Sequence, residues 1–187
     1  MNRDLPMWLT LSRMIAAPIV ILILLTGWIW AGWAAAIVFM LASLTDWLDG
    51  YFARKYNLES NMGKFMDPIA DKILVLGAIL MLLDMNRVDP VMVFLFLARD
   101  IFIGGIRSVA AANQVIIDAK PFGKWKTAIQ MIAIPCMLIY DPIFRIPLGD
   151  LGYYMLWISV ALSLISGYEY TIGYYKQVRP DAREGLK

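Results

Sequence analysis

The sequence has no histidine, one cysteine and few charges, with 17% of its 187 residues being Asp, Glu, Lys or Arg. Without histidine, acid–base chemistry near neutral pH falls to carboxylates, Lys, Tyr or bound water. The single cysteine, Cys136, cannot close an internal disulfide, and its apolar neighbours suit packing better than reactivity. A net charge of +2 is too small to argue for a nucleic-acid partner. No internal repeat, low-complexity segment or water-soluble domain interrupts the pattern. The opening "MNRDLPMWLTLSRMIAAP" lacks the basic patch, short apolar run and small-residue cleavage site of a secretory signal. The first hydrophobic stretch is therefore expected to be retained as a membrane span.

What the chain has in excess is apolar surface. Hydrophobic residues make up 60% of it, against about 45–50% in an ordinary soluble domain. Met14–Leu44 runs without a charge and as one helix would be roughly 46 Å long, too long for a single crossing of a hydrocarbon core about 30 Å thick. "TGWIW" and "AGW" (26–33) supply turn glycines and interfacial tryptophans at its midpoint. Splitting there gives spans over about 7–26 and 29–53, followed by about 63–84, 90–111, 125–140 and 150–173. The expected fold is thus all-α, a single membrane domain over 1–187 with six transmembrane helices.

Charge placement orients it. With the N-terminus cytoplasmic, Arg54, Lys55, Lys64, Arg107, Lys120, Lys124, Lys126, Lys176, Arg179, Arg183 and Lys187 lie on the inner side. The outer loops hold only Arg87 and Arg145, each accompanied by acids. This positive-inside asymmetry places both termini in the cytoplasm. Arg13, near the start of the first span, is expected to snorkel to the inner headgroups or to reach a bound ligand.

Four aspartates stand against this background in "TDWLDGYFARKYNLESNMGKFMDPIADK" (45–72). At 100° per residue, Asp46, Asp49, Gly50, Ala53 and Arg54 fall within about 140° of one helix face, and Gly63, Asp67 and Asp71 within about 80° of another. The short connection makes the two helices antiparallel neighbours, so the carboxylates converge near their cytoplasmic ends. Gly50, Ala53 and Gly63 keep that surface shallow. Carboxylates so close repel one another unless protonated or bridged by cations, and hard oxygen ligands suit Mg²⁺, Mn²⁺ or Ca²⁺. An interfacial acidic patch paired with Arg54, Lys55, Lys64 and Lys72 is the bland alternative. The spacing and the cost of placing four acids beside membrane spans favour function.

These residues read D-x-x-D-G-x-x-A-R-x8-G-x-x-x-D-x-x-x-D from Asp46 to Asp71, which resembles the signature of the CDP-alcohol phosphatidyltransferases. "LTLSRMIAAP" (9–18), "ARDIFIGGIR" (98–107) and "FGKWKTAIQM" (122–131) are similar to segments of the bacterial phosphatidylglycerophosphate synthases of that family. The resemblance implies a six-helix integral enzyme of the inner membrane, usually a homodimer, that displaces CMP from a CDP-linked lipid with an alcohol and uses Mg²⁺ or Mn²⁺. It implies that Asp46, Asp49 and Asp67 hold metal and that Asp71 either coordinates it or acts as the general base. Gly50, Ala53, Arg54 and Gly63, together with Asp46 and Asp49, would line the site for the CDP-lipid.

A phosphorylated acceptor needs a second basic pocket. Arg107, Lys124 and Lys126, at adjacent inner helix ends, are the candidates; Lys124 and Lys126 point about 200° apart on an ideal helix, so one could instead meet lipid headgroups. The similarity of "GKWKT" and "GGIR" to the phosphatidylglycerophosphate synthases implies sn-glycerol 3-phosphate as the acceptor, with CDP-diacylglycerol as donor. Inositol phosphate, serine or a lipid is the alternative acceptor. Arg99 and Asp100 are expected to form an ion pair or to divide between a polar cavity and a partner in the bundle. A divalent-cation transporter would place its carboxylates at the bilayer midplane on broken or repeated helices, which the pattern does not show. A scaffold that has lost activity fits poorly with a complete set of aspartates.

Overall fold

The computed structural model describes residues 5–55, 61–112, 121–142 and 146–178; the side chains of 5–11, 46–55, 61–68, 71, 111–112, 121–124 and 176–178 lie outside that description. Among the described residues there are six helices and no strand: α1 Leu5–Leu25, α2 Ala31–Lys55, α3 Asn61–Asp84, α4 Pro90–Ala112, α5 Pro121–Ile139 and α6 Leu148–Val178. Each falls on one of the six apolar segments. The largest departures are α6, which runs on to Val178 and not to about 173, and α5, which begins at Pro121 and not near 125. Proline suits the first helical position, where its missing N–H would have no partner in any case. Over Leu148–Tyr175, α6 is long and apolar enough to cross a membrane. Ser12–Leu25, Ala31–Thr45 and Trp125–Ile139 are shorter apolar helical stretches.

Helix ends are set by local chemistry. Gly27 adopts φ +62°, and its N–H reaches the Leu24 carbonyl at 3.2 Å, so α1 stops in a left-handed cap and the chain reverses before α2. The tryptophans of this turn, Trp28 and Trp30, are exposed. Asn86 (φ +55°) closes α3 in the same way. Its N–H bonds to Leu83 O and that of Arg87 to Leu82 O, both at 2.9 Å, which is the Schellman pattern.

The helices form two compact units. The first comprises Met1–Val88 and Met131–Tyr153. There α1 packs against both α2 and α3, with Val20, Phe39, Leu74, Leu82, Ile134 and Leu138 inside. Arg87 ties its loop to the end of α5, donating to Met137 O at 2.8 Å and Leu138 O at 2.7 Å, with its guanidinium 4.5 Å from the Tyr140 ring. Burial pushes the Arg87 pKa down from its ordinary value, and nearby Tyr140 and Asp141 oppose that shift. Gly152 lets α6 cross α5 closely, since a Cβ there would stand 2.7 Å from Met137 Cγ and 2.9 Å from Ala133 O. Arg13 is buried at 2% exposure, which corrects the expectation of snorkelling: the side chain faces protein, not headgroups.

The second unit comprises Asp89–Gln130 and Tyr154–Lys187. Its apolar interior includes Met92, Phe96, Ile103, Leu156 and Val160. Polar side chains are buried beside them: Lys126 and Gln130 one turn apart on α5, and Ser159 and Ser163 one turn apart on α6.

Candidate functional site

The aspartate series occupies two unbroken helices. Asp46, Asp49, Gly50, Ala53 and Arg54 lie in the C-terminal half of α2, and Gly63, Asp67 and Asp71 in the N-terminal half of α3, which runs on through Pro68. The helical backbone preserves the one-turn spacing of each aspartate pair. Asp71 stands one turn before Leu74 and Val75, which are buried against the interior of the first unit. The side chains of all eight residues lie outside the described set, so the ligand and lining roles implied for them are not carried by contacts. On α3, Ile69 and Lys72 are exposed while Ala70 is fully buried. That segment therefore has a solvent- or lipid-facing side directly beside a packed one.

The three basic candidates for an acceptor phosphate sit in the second unit, in different surroundings. Arg107 on α4 is exposed, with its guanidinium carbon 5.4 Å from the centre of the Tyr170 ring on α6. Among the described residues it has no ion-pair partner. Lys124 lies in the first turns of α5, and its side chain is outside the described residues. Lys126 is 6% exposed. Its ammonium donates to Asp100 Oδ1 at 2.6 Å and lies 4.7 Å from the centre of the Phe96 ring.

Asp100 is the hub of this region. The same Oδ1 accepts from Arg99 Nη1 at 3.0 Å. Arg99 in turn donates from Nε to Ser163 O at 2.9 Å and from Nη2 to Ser166 Oγ at 3.4 Å. Ser159 Oγ donates to the Lys126 carbonyl at 3.4 Å. One carboxylate thus joins α4 to α5, and one guanidinium joins α4 to α6. Arg99 and Asp100 do form the expected ion pair. The inclusion of Lys126 was missed, because sequence shows which polar residues share a helix face but not which helices meet. The signal present was the one-turn spacing of Lys126 with Gln130 and of Ser159 with Ser163 on otherwise apolar helices.

An all-helical architecture among the described residues, with a carboxylate series on consecutive helices and buried charge pairs among apolar segments, has the make-up of a membrane-associated enzyme. Residues 3–165 match the model of the CDP-alcohol phosphatidyltransferase family, and the chain belongs to that family. It is 37% identical over 182 residues to the CDP-diacylglycerol–glycerol-3-phosphate 3-phosphatidyltransferase of Bacillus subtilis strain 168, covering 89% of this chain and 93% of the relative. The protein of the same name from Rickettsia bellii strain RML369-C is 40% identical over 170 residues, covering 90% and 94%. A plant relative, CDP-diacylglycerol–glycerol-3-phosphate 3-phosphatidyltransferase 2 of Arabidopsis thaliana, is 34% identical over 177 residues, covering 87% and 76%.

Proposed function

We propose that this chain transfers the phosphatidyl group of CDP-diacylglycerol to sn-glycerol 3-phosphate, releasing CMP and forming phosphatidylglycerol phosphate. The observation that carries this reading is the full aspartate–glycine–arginine series on α2 and α3, in a chain whose near-full-length relatives are named for that reaction. The setting proposed is the inner membrane, with six spans, both termini cytoplasmic, the aspartates at the cytoplasmic side and a homodimer as the working unit.

The donor set fits a hard divalent ion. Asp46, Asp49, Asp67 and Asp71 offer only carboxylate oxygens, on two helices whose backbone keeps each pair one turn apart, and the chain has no imidazole to compete. When bound, Mg²⁺ or Mn²⁺ neutralises charge on the diphosphate and on the departing phosphate. Gly50, Ala53 and Gly63 leave room for the diphosphate to approach the helix backbones, and Arg54 adds a fixed positive charge for it. Asp71 takes the proton from the acceptor hydroxyl as that oxygen forms its bond to the lipid-linked phosphorus. The bond from that phosphorus to the bridging oxygen breaks, and CMP leaves with the electron pair. Arg107, Lys124 and Lys126 are proposed to hold the acceptor's own phosphate, with Arg107 the most accessible of the described pair.

The test is CMP release by the purified enzyme with CDP-diacylglycerol and each acceptor in turn. Release with sn-glycerol 3-phosphate, its loss on chelation and its return with Mg²⁺ or Mn²⁺ are the expected results. Release with serine or inositol phosphate alone would replace the acceptor. Asp71→Asn is expected to abolish release while the protein stays folded and membrane-inserted; wild-type turnover would remove Asp71 from the mechanism.

A further inference from the structure

Helices α4 and α6 meet along a matched ladder. Arg99, Ile103 and Arg107 recur at four-residue steps on α4, a spacing that keeps them on one face. Ser163, Ser166, Gly167 and Tyr170 answer them on α6. Arg99 bonds to Ser163 O and Ser166 Oγ. A Cβ on Gly167 would lie 3.4 Å from Ile103 and 3.5 Å from Arg99 Nε, and the Arg107 guanidinium lies beside the Tyr170 ring. Partner numbers rise together, so the two helices run in the same direction through this contact. The lower rungs are hydrogen-bonded and close-packed. The last rung leaves the Arg107 N–H groups unpaired among the described residues while the ring restrains the planar guanidinium.

An exposed arginine with no fixed partner samples many rotamers, and each must be frozen when an anion binds. A ring held by the neighbouring helix removes part of that cost, and it attracts the guanidinium without using any N–H donor. We infer that Tyr170 is a positioning residue for acceptor recognition: it presents the Arg107 guanidinium to the phosphate of the acceptor. The inference rests on the reading of Arg107 as an acceptor-phosphate ligand. It assigns α6 a part in substrate selection that the aspartate series does not reach.

The experiment compares Tyr170→Leu, Tyr170→Phe, Arg107→Ala and the Tyr170→Leu/Arg107→Ala double variant in the full-length enzyme. KM for sn-glycerol 3-phosphate, KM for CDP-diacylglycerol and kcat are measured for each. Tyr170→Leu is expected to raise KM for sn-glycerol 3-phosphate about two- to fivefold, the worth of an exposed cation–π contact. KM for CDP-diacylglycerol should stay unchanged. Tyr170→Phe keeps the ring and should match wild type. Tyr170→Leu should add nothing once Arg107 is alanine. A merely structural role would lower kcat or protein yield without this selective shift. If Arg107→Ala raises KM for the acceptor but Tyr170→Leu does not, the positioning role falls alone. If Arg107→Ala leaves that KM unchanged, the reading of Arg107 falls and takes the positioning role with it.

Discussion

Asp100 shows how much can hang on one carboxylate in an apolar chain. Its Oδ1 accepts from Arg99 and from Lys126, with side-chain exposures of 12%, 8% and 17% for Arg99, Lys126 and Asp100. Removing the shared anion leaves two cations facing each other away from water. Asp100→Asn keeps the shape but not the charge, and it should cost about 3–5 kcal/mol, as breaking a buried pair from one side does. Lys126→Met leaves Asp100 with Arg99 and replaces an ammonium by a thioether of similar length, so its cost should be clearly smaller. Thermal unfolding in detergent, read for both variants beside wild type, checks the order. Equal losses would show that Asp100 depends on Lys126 alone. The same geometry separates the two lysines of "GKWKT": Lys126 is already tied to a carboxylate, and any hold on a substrate phosphate is made from within that pair.

At the scale of elements, the apolar segments were legible because apolar helices are written in composition: a run of apolar residues, a glycine or asparagine at the end, a short polar connection. Gly27 and Asn86 occupy left-handed caps where glycine and asparagine are the residues most tolerant of that conformation. The helices that carry the aspartates were legible too, since they need only the apolar run and the helical period. Contacts between helices were not. Nothing in the sequence announces that Arg87, in a short loop after α3, reaches across to cap α5 at Met137 O and Leu138 O. Those carbonyls lie in the last turn, where no helical N–H remains for them, and a half-buried guanidinium supplies the missing donors. Arg87→Met should therefore destabilise the first unit by about 2–3 kcal/mol, on the scale of charged hydrogen bonds lost from a partly buried site. Arg87→Lys, with a single charged head in place of a fork, should recover only part of that loss. Denaturation midpoints of the two variants, and protease sensitivity of the α3–α4 connection, measure the effect. Full stability in Arg87→Met would mean that water replaces the guanidinium without penalty.

At the scale of the whole chain, the distribution of charge makes a stronger statement about topology than any one helix. Eleven basic residues lie in the segments assigned to the inner side, from Arg54 to Lys187, against Arg87 and Arg145 outside. Translocating basic loops is resisted, so an even number of crossings with both ends inside is the arrangement this distribution favours. Large exposed apolar side chains such as Leu22, Ile101, Phe94 and Ile158 occur on α1, α4 and α6, as expected of helices that meet lipid over much of their surface. The composition also supplies a clean test, because Cys136 is the only native thiol. In a Cys136→Ala background, single cysteines at Asp89, Ser60 and Glu184 report two connections and the C-terminal tail. An impermeant thiol reagent added to intact cells should label the cysteine at 89. Those at 60 and 184 should react only after the membrane is opened. Labelling of 184 from outside while 60 stays protected would make the number of crossings between them odd, not four. Labelling of 60 from outside would put the α2–α3 connection, and the aspartates next to it, on the side away from cytoplasmic sn-glycerol 3-phosphate. Either result would overturn the proposed orientation while leaving the family assignment intact, because the family rests on sequence over residues 3–165 and not on topology.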